Sequence, residues 1–454
     1  MSLATPIGER LAYFCDYAWL GGPSATPSVL IEVVDGVIRS VETGAARPPA
    51  AIRLAGLTLP GFANAHSHAF HRALRGRTEG DRGNFWTWRD TMYTVAARLD
   101  PDRYYALARA TYAEMVLAGF TSVGEFHYLH HEDGGRPYAS ANVMGEALAA
   151  AASDAGIRLT LLDTCYLERA PGEAASGIQL RFADRDVDTW ASRTGGLRAR
   201  EGVRLGVAIH SVRAVPPAAA RLVAEVADAR GVPLHFHLSE QPAENATSLA
   251  HYGRTPTELL ESLGALGGSS VAVHATHLTD RDLDLLAGAA TGACICPTTE
   301  RNLADGIGPA RRLLTGGAPL SIGSDSQAVI DPFAEIQGLE AGERLASGER
   351  VRFVATELLD AATRVGHRAI GWPECGIIGA GHPADLVTIG LGSPRLAGWT
   401  ASSLLDLAVS TAGAGDVDHV IVAGRPIVVD GIHQAIPEVA AALTAAITTV
   451  VAPP

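Results

Sequence analysis

The histidines of this chain cluster where chemistry is possible. In "GFANAHSHAFHRAL", His66 and His68 stand two residues apart and His71 follows closely. Alternate residues of a strand project from one face, so the first pair could reach a single ion. Alone, a His-x-His pair also arises by chance in surface strands. It gains weight from "HFHLSE" and "IGSDSQ", which supply His237 and Asp325. Three imidazoles and a carboxylate make a borderline-soft donor set. One divalent metal ion per subunit is expected, with zinc favoured and iron, cobalt or nickel also suited. His235 shares a face with His237 but lies a layer deeper, and is read as a packed barrel histidine. His277, three residues after His274, is read as orienting a loop.

Other chemistries drop out. All 36 basic residues are arginine. Schiff-base catalysis, pyridoxal phosphate anchoring and a Walker-type phosphate lysine all need an amine that this chain lacks. A two-metal centre bridged by a carboxylated lysine is excluded for the same reason. Cys294 and Cys296 in "ACICP" have no second cysteine pair to complete a structural zinc site, and are read as barrel core. His130 and Glu132 imitate the His-x-Glu of nucleobase deaminases, but the Pro-Cys-x-x-Cys partner is missing. There is no His-Glu-x-x-His motif, no glycine-rich nucleotide loop in a strand-to-helix context and no Gly-x-Ser-x-Gly elbow.

Something must carry these residues to one place. Apolar β-rich runs alternate with helical patterns, the signature of a parallel sheet with crossover helices. Eight strands are predicted, in "LTLPGFANAH", "TSVGEFH", "RLTLLDTC", "VRLGVAIH", "VPLHFH", "SVAVHA", "TGACICP" and "PLSIGSD". Helices open at Asp100-Pro101 and Pro216 and close at Gly119 and Gly231. The fold class is α/β, a (β/α)8 TIM-like barrel over residues 57–380, whose site lies at the C-terminal strand ends. Those ends read His66 and His68, then Glu125, His127 and Tyr128, then His210 and Arg213, then His235 and His237, then His274, then Asp325. Residues 1–56 and 381–454 share a β texture, with a turn at Asp35-Gly36, and are expected to form one composite small β-sandwich domain. "APGEAASG" is read as a flexible connection, and the apolar C-terminal segment as a terminal helix.

The whole chain agrees with a soluble enzyme. Of its 454 residues, 47% are hydrophobic and 19% charged, and the net charge of -13 argues against nucleic acid or an anionic membrane as partner. A small molecule is the expected ligand. The first twenty residues lack the basic start and apolar core of a secretory signal, and five scattered cysteines suit a reducing compartment, so a cytoplasmic location is expected.

Taken together, "LPGFANAHSHAF", "HFHLSEQ", "VAVHATHL" and "IGSDSQ" resemble the mononuclear metal-dependent deaminases of the amidohydrolase superfamily. Within it, "NFWTWRDTMY", "TSVGEFHYLHH", "HSVRAV" and "CPTTERNLADGI" are similar to the formimidoylglutamate deiminases of histidine degradation. The likeness spans about residues 57 to 380. It implies metal ligands at His66, His68, His237 and Asp325, and catalytic roles for Glu240, His274 and Asp325. It also implies substrate contacts from His71, Arg89, Tyr128, His210 and Arg213. The implied reaction is hydrolytic deimination of N-formimidoyl-L-glutamate to N-formyl-L-glutamate and ammonia. Glu240 would accept a proton from activated water and pass it to the leaving nitrogen, while His274 steadies the tetrahedral intermediate. Two substrate carboxylates need opposing charge, and guanidinium forks match them. A homodimer is expected. One departure stands out: after "HSHAF" the family usually has glutamine, where this chain has His71. Rival readings are a related amidohydrolase acting on a ring such as guanine, and a catalytically silent metal-binding scaffold.

Overall fold

The stretch "RLTLLDTC" is buried along its entire length as strand Arg158–Cys165. A parallel strand covered by helices on one face and a barrel interior on the other is buried on both, and here its charged residues are paired, Arg158 with Asp385 and Asp163 with Arg193. The computed structural model describes residues 10–80 and 85–451. The start of the segment read as lacking a secretory signal, residues 1–9, lies outside them.

Eight such strands run in parallel and in sequential order: β1 (Phe62–Ser67), β2 (Phe120–His127), β3 (Arg158–Cys165), β4 (Val203–Ile209), β5 (Leu234–Leu238), β6 (Ser270–His274), β7 (Gly292–Ile295) and β8 (Leu320–Ile322). The last meets the first through a parallel bridge between Ser67 and Asp325. Asp325 donates its backbone N–H to His66 O at 3.0 Å, and His68 returns one to Asp325 O at 3.2 Å. Closure needs Gly323, because a Cβ there would lie 2.8 Å from His66 Cβ and its carbonyl oxygen. The barrel is thus sealed between two segments predicted to bind metal.

The predicted helix signals are realised. Asp100 caps Pro101–Leu117 by accepting from Arg103 N, and Gly231 ends Pro217–Arg230 in the left-handed conformation. The C-terminal segment forms helix Val439–Val451, which packs on Pro101–Leu117. No helix of the described residues is long and apolar enough to cross a membrane.

Both termini contribute to a second, mixed eight-stranded sheet, with strands from Arg10 to Pro60 and from Leu386 to His433. Asp35 and Gly36, both with positive φ, turn the hairpin between Thr26–Val34 and Val37–Thr43. That hairpin folds back onto residues 381–384 through bonds from Gly381 N to Ile38 O and from Ala384 N to Gly36 O. The sheet thereby curls around its own core of Tyr13, Ile31, Val33, Leu54 and Leu386.

Two local readings change. "LTLPGFANAH" is two strands, Ile52–Pro60 in the terminal sheet and Phe62–Ser67 in the barrel. Gly61 divides them, pressed so closely on Thr121 that a Cβ would clash with its side chain at 2.3 Å. "APGEAASG" lies largely in a small hairpin, Glu168–Ala170 against Glu173–Ala174, which turns at Gly172 with φ +76°.

Candidate active site

β1 presents His66 and His68 to one centre, and β5 brings His237 to it. His237 Nδ1 donates to His210 O at 2.9 Å and His68 Nδ1 donates to Phe126 O at 2.9 Å. A carbonyl can only accept, so both rings carry their proton on Nδ1 and turn a lone pair on Nε2 inward. His237 Nε2 lies 3.2 Å from His66 Nε2. Asp325 Oδ1 lies 3.3 Å from His66 Nε2 and 3.4 Å from His68 Nε2. Inward-facing nitrogens gathered around one carboxylate oxygen fit a divalent cation. Burial holds all three imidazoles well below their ordinary pKa, in the neutral form that ligation requires. Burial pushes Asp325 up, but His274 and His68 outweigh it and hold the carboxyl below its usual value.

Beside this centre stand His274, at the end of β6, and Glu240, on the loop leaving β5. His274 Nε2 is 3.8 Å from Glu240 Oε1 and 3.9 Å from Asp325 Oδ2. Burial opposes charge on His274, yet Glu240, Asp325 and Glu300 together lift its pKa well above normal. Burial raises Glu240 despite the opposing pull of His274. A carboxyl raised towards neutrality and a nearby imidazole suit proton exchange. The strand ends are backbone-strained: Ser239, His274, Ala275 and Asp325 have φ of +51°, +68°, +51° and +40°. Such conformations persist only where surrounding structure holds them, and they gather at functional sites.

A cavity of about 180 Å³ opens from the centre, lined in part by His71, Arg89, Tyr128, His210, Arg213 and Glu240. The structure therefore brings together every substrate-side residue predicted from the sequence. His71 Nε2 meets the Tyr128 hydroxyl at 3.0 Å, and burial lowers its pKa to about 4, so it is neutral near pH 7. Arg89 stands on helix Phe85–Ala96, with its guanidinium 5.5 Å from the Tyr93 ring centroid. The stretch "FWTWRDTMYTVA" has no glycine or proline to break that helix. Arg213 makes no ion pair with any described residue and reaches the cavity from the turn after β4. His235 Nε2 donates to Ala369 O at 2.9 Å, as a packed histidine would, and His277 Nε2 donates to the Asp305 carbonyl at 2.7 Å. Cys294 and Cys296 are fully buried.

Two acids were not singled out from the sequence. Glu244 lines the cavity, accepts from Glu240 N at 3.2 Å and is raised by burial to about 7. Glu300 lies 3.5 Å from His274 Nδ1. The quoted "CPTTERNLADGI" contains Glu300, but only folding brings it beside β6.

Residues 57–427 match the model of the amidohydrolase family. The chain belongs to the amidohydrolase family. This amidohydrolase is 38% identical over 413 residues to a formimidoylglutamate deiminase of Pseudomonas aeruginosa, covering 88% of the chain and 90% of that protein. Its fold superposes on a solved amidohydrolase from Brucella melitensis with a TM-score of 0.90 at 35% identity, covering 97% of this chain and 100% of that one. A zinc-bound adenosine deaminase from Xanthomonas campestris aligns with a TM-score of 0.84 at 25% identity, over 98% of each chain. Family and geometry agree on a divalent metal site in this amidohydrolase.

Proposed function

We propose that this amidohydrolase hydrolyses the formimino C=N bond of N-formimidoyl-L-glutamate, releasing ammonia and N-formyl-L-glutamate in histidine degradation. The observation that carries the reading is that one cavity adjoins three histidines and an aspartate able to hold a metal, an acid–imidazole pair and two arginines. The 38% identity to a formimidoylglutamate deiminase supports the same substrate. His66, His68, His237 and Asp325 would hold a single ion, with zinc the best match to three imidazoles and one carboxylate. When bound, the ion supplies Lewis acidity and lowers the pKa of water from 15.7 to about 7.

The protein's own groups account for the remaining steps. Glu240 takes a proton from the attacking water and returns it to the departing nitrogen, its raised pKa suiting both directions. His274 faces the same point from β6 and steadies charge on the tetrahedral intermediate. Arg89 and Arg213 take the substrate carboxylates, with Tyr128, His210 and His71 completing the wall. The aromatic lining would also accept a planar ring, as in an aminohydrolase acting on guanine. Two guanidinium groups in a small cavity favour the dicarboxylate instead.

The test is ammonia release from N-formimino-L-glutamate beside N-formimino-L-aspartate, guanine and cytosine, with metal analysis of the purified protein. Turnover of the formimino-glutamate with one equivalent of zinc is expected. Activity on guanine without activity on the formimino acid would overturn the reading, and metal without any turnover would favour a silent scaffold.

A further inference from the structure

Glu300 sits in the short helix Pro297–Leu303 after β7 and is 5% exposed. It is not among the residues lining the substrate cavity, so it can influence chemistry only through a neighbour. Its Oε1 accepts from the backbone N–H of Cys296 at 2.8 Å and lies 3.5 Å from His274 Nδ1. The opposite edge of the same imidazole, Nε2, faces Glu240 and Asp325. The chain around His274 is independently held, since Ala275 donates its N–H to Leu238 O at 3.0 Å. One edge of the ring therefore faces, at ion-pair distance, a carboxylate that is itself anchored to the backbone at the end of β7.

We propose that Glu300 is the positioning residue of His274. It holds the proton on Nδ1 and fixes the ring so that Nε2 is the nitrogen presented to the reacting carbon. An ionised carboxylate can only accept, so the Glu300 contact requires an Nδ1–H. A ring without this partner could rotate, turning the wrong edge to the substrate. The bond from Cys296 N also helps start the helix Pro297–Leu303, so a purely structural role must be separated from positioning.

The kinetic arm of the test rests on the deiminase reading. Glu300→Ala should lower kcat about 10- to 100-fold with little change in KM, the usual cost of losing such an outer partner. Glu300→Gln, which still offers an acceptor to Cys296 N and to Nδ1–H, should recover part of the loss. In a His274→Gln background, removing Glu300 should cost nothing further, because the two residues act as a unit. The second arm needs no substrate: ¹⁵N spectra of histidine-labelled, metal-loaded protein, with the His274 signals assigned by their disappearance in His274→Gln. The wild type should show a protonated Nδ1, and Glu300→Ala should shift that pattern. Wild-type kcat in Glu300→Ala at full metal content, an equal loss in the His274→Gln background, or unchanged His274 signals would each overturn the proposal. If the wild type fails to turn over N-formimino-L-glutamate, the substrate reading falls while the spectra still decide the role of Glu300.

Discussion

His71 illustrates how much a single buried ring can change a site. Its pKa near 4 lies below the ordinary 6.5 of histidine because burial disfavours the imidazolium, so the ring stays neutral above about pH 5. The departure from the family's glutamine is thus one of shape and hydrogen bonding, with no change of charge. His71→Gln should alter KM for N-formimino-L-glutamate by about 2- to 10-fold, the worth of one hydrogen bond. The pH profile of kcat/KM between about pH 6 and pH 9 should stay the same. A shift of the acidic limb on replacement would show that His71 titrates in the working range and contradict its burial. The type and spacing of His66, His68, His237 and Asp325 were readable as a ligand set. Glu300 and Glu244 were not, since an acid on a helix after a strand reads the same whether it faces solvent or a catalytic ring.

At the scale of elements, the barrel and the terminal sheet are joined at the end of the barrel away from the site. Arg158, at the start of β3, forms a buried ion pair with Asp385, which enters the sheet strand Leu386–Ile389. Asp385 also accepts from Ala423 N at 2.8 Å, and its carbonyl accepts from Gly61 N at 2.9 Å. Removing one partner leaves an uncompensated buried charge, so Arg158→Ala should cost about 3–5 kcal/mol. Urea unfolding would measure this as a lower midpoint, while the folded fraction keeps its kcat because the site lies at the other end. A midpoint within error of the wild type would mean that water reaches Asp385. Seven of the eight barrel strands were legible because each apolar run is bounded by helix signals or turns. "LTLPGFANAH" was not divided correctly, because an unbroken apolar run carries no mark of which sheet each half joins. The close approach of Gly61 to Thr121 marks that division, and it exists only in three dimensions.

For the whole molecule, a metal held by His66, His68, His237 and Asp325 would tie the ends of β1, β5 and β8 together, so ligation and stability would be linked. A ligand that binds only the folded state stabilises it by about 4 kcal/mol when present at 1,000 times its Kd. Chelation should therefore lower Tm by several degrees, and zinc should restore it. A Tm indifferent to chelator would argue against a metal bound by these residues. The metal-free protein should also lose stability as pH rises from acid to neutral. Burial raises Glu125 and Glu244 from 4.5 to about 7, so the folded state keeps protons that the unfolded chain releases. Their contribution is fully present below about pH 4.5 and is lost as pH rises through about 7. Tm of the chelated protein should fall between about pH 4.5 and pH 7 and level off above, and Glu125→Gln should flatten that fall. An equally steep fall in the variant would assign the effect to other groups.

The sequence by itself determined the chemistry available: three histidines and an aspartate at strand ends, arginine as the only cation, and the alternating pattern of a parallel barrel. These follow from residue type and local period, which need no knowledge of distant contacts. Tertiary structure alone decided which acids face the His274 imidazole, that His71 is a neutral wall residue beside Tyr128, and where one sheet ends and the next begins. The reason is physical: ligand geometry, burial and pKa depend on atoms that meet across long stretches of chain, as Asn64 and Ser324 do across 260 positions at the barrel seam.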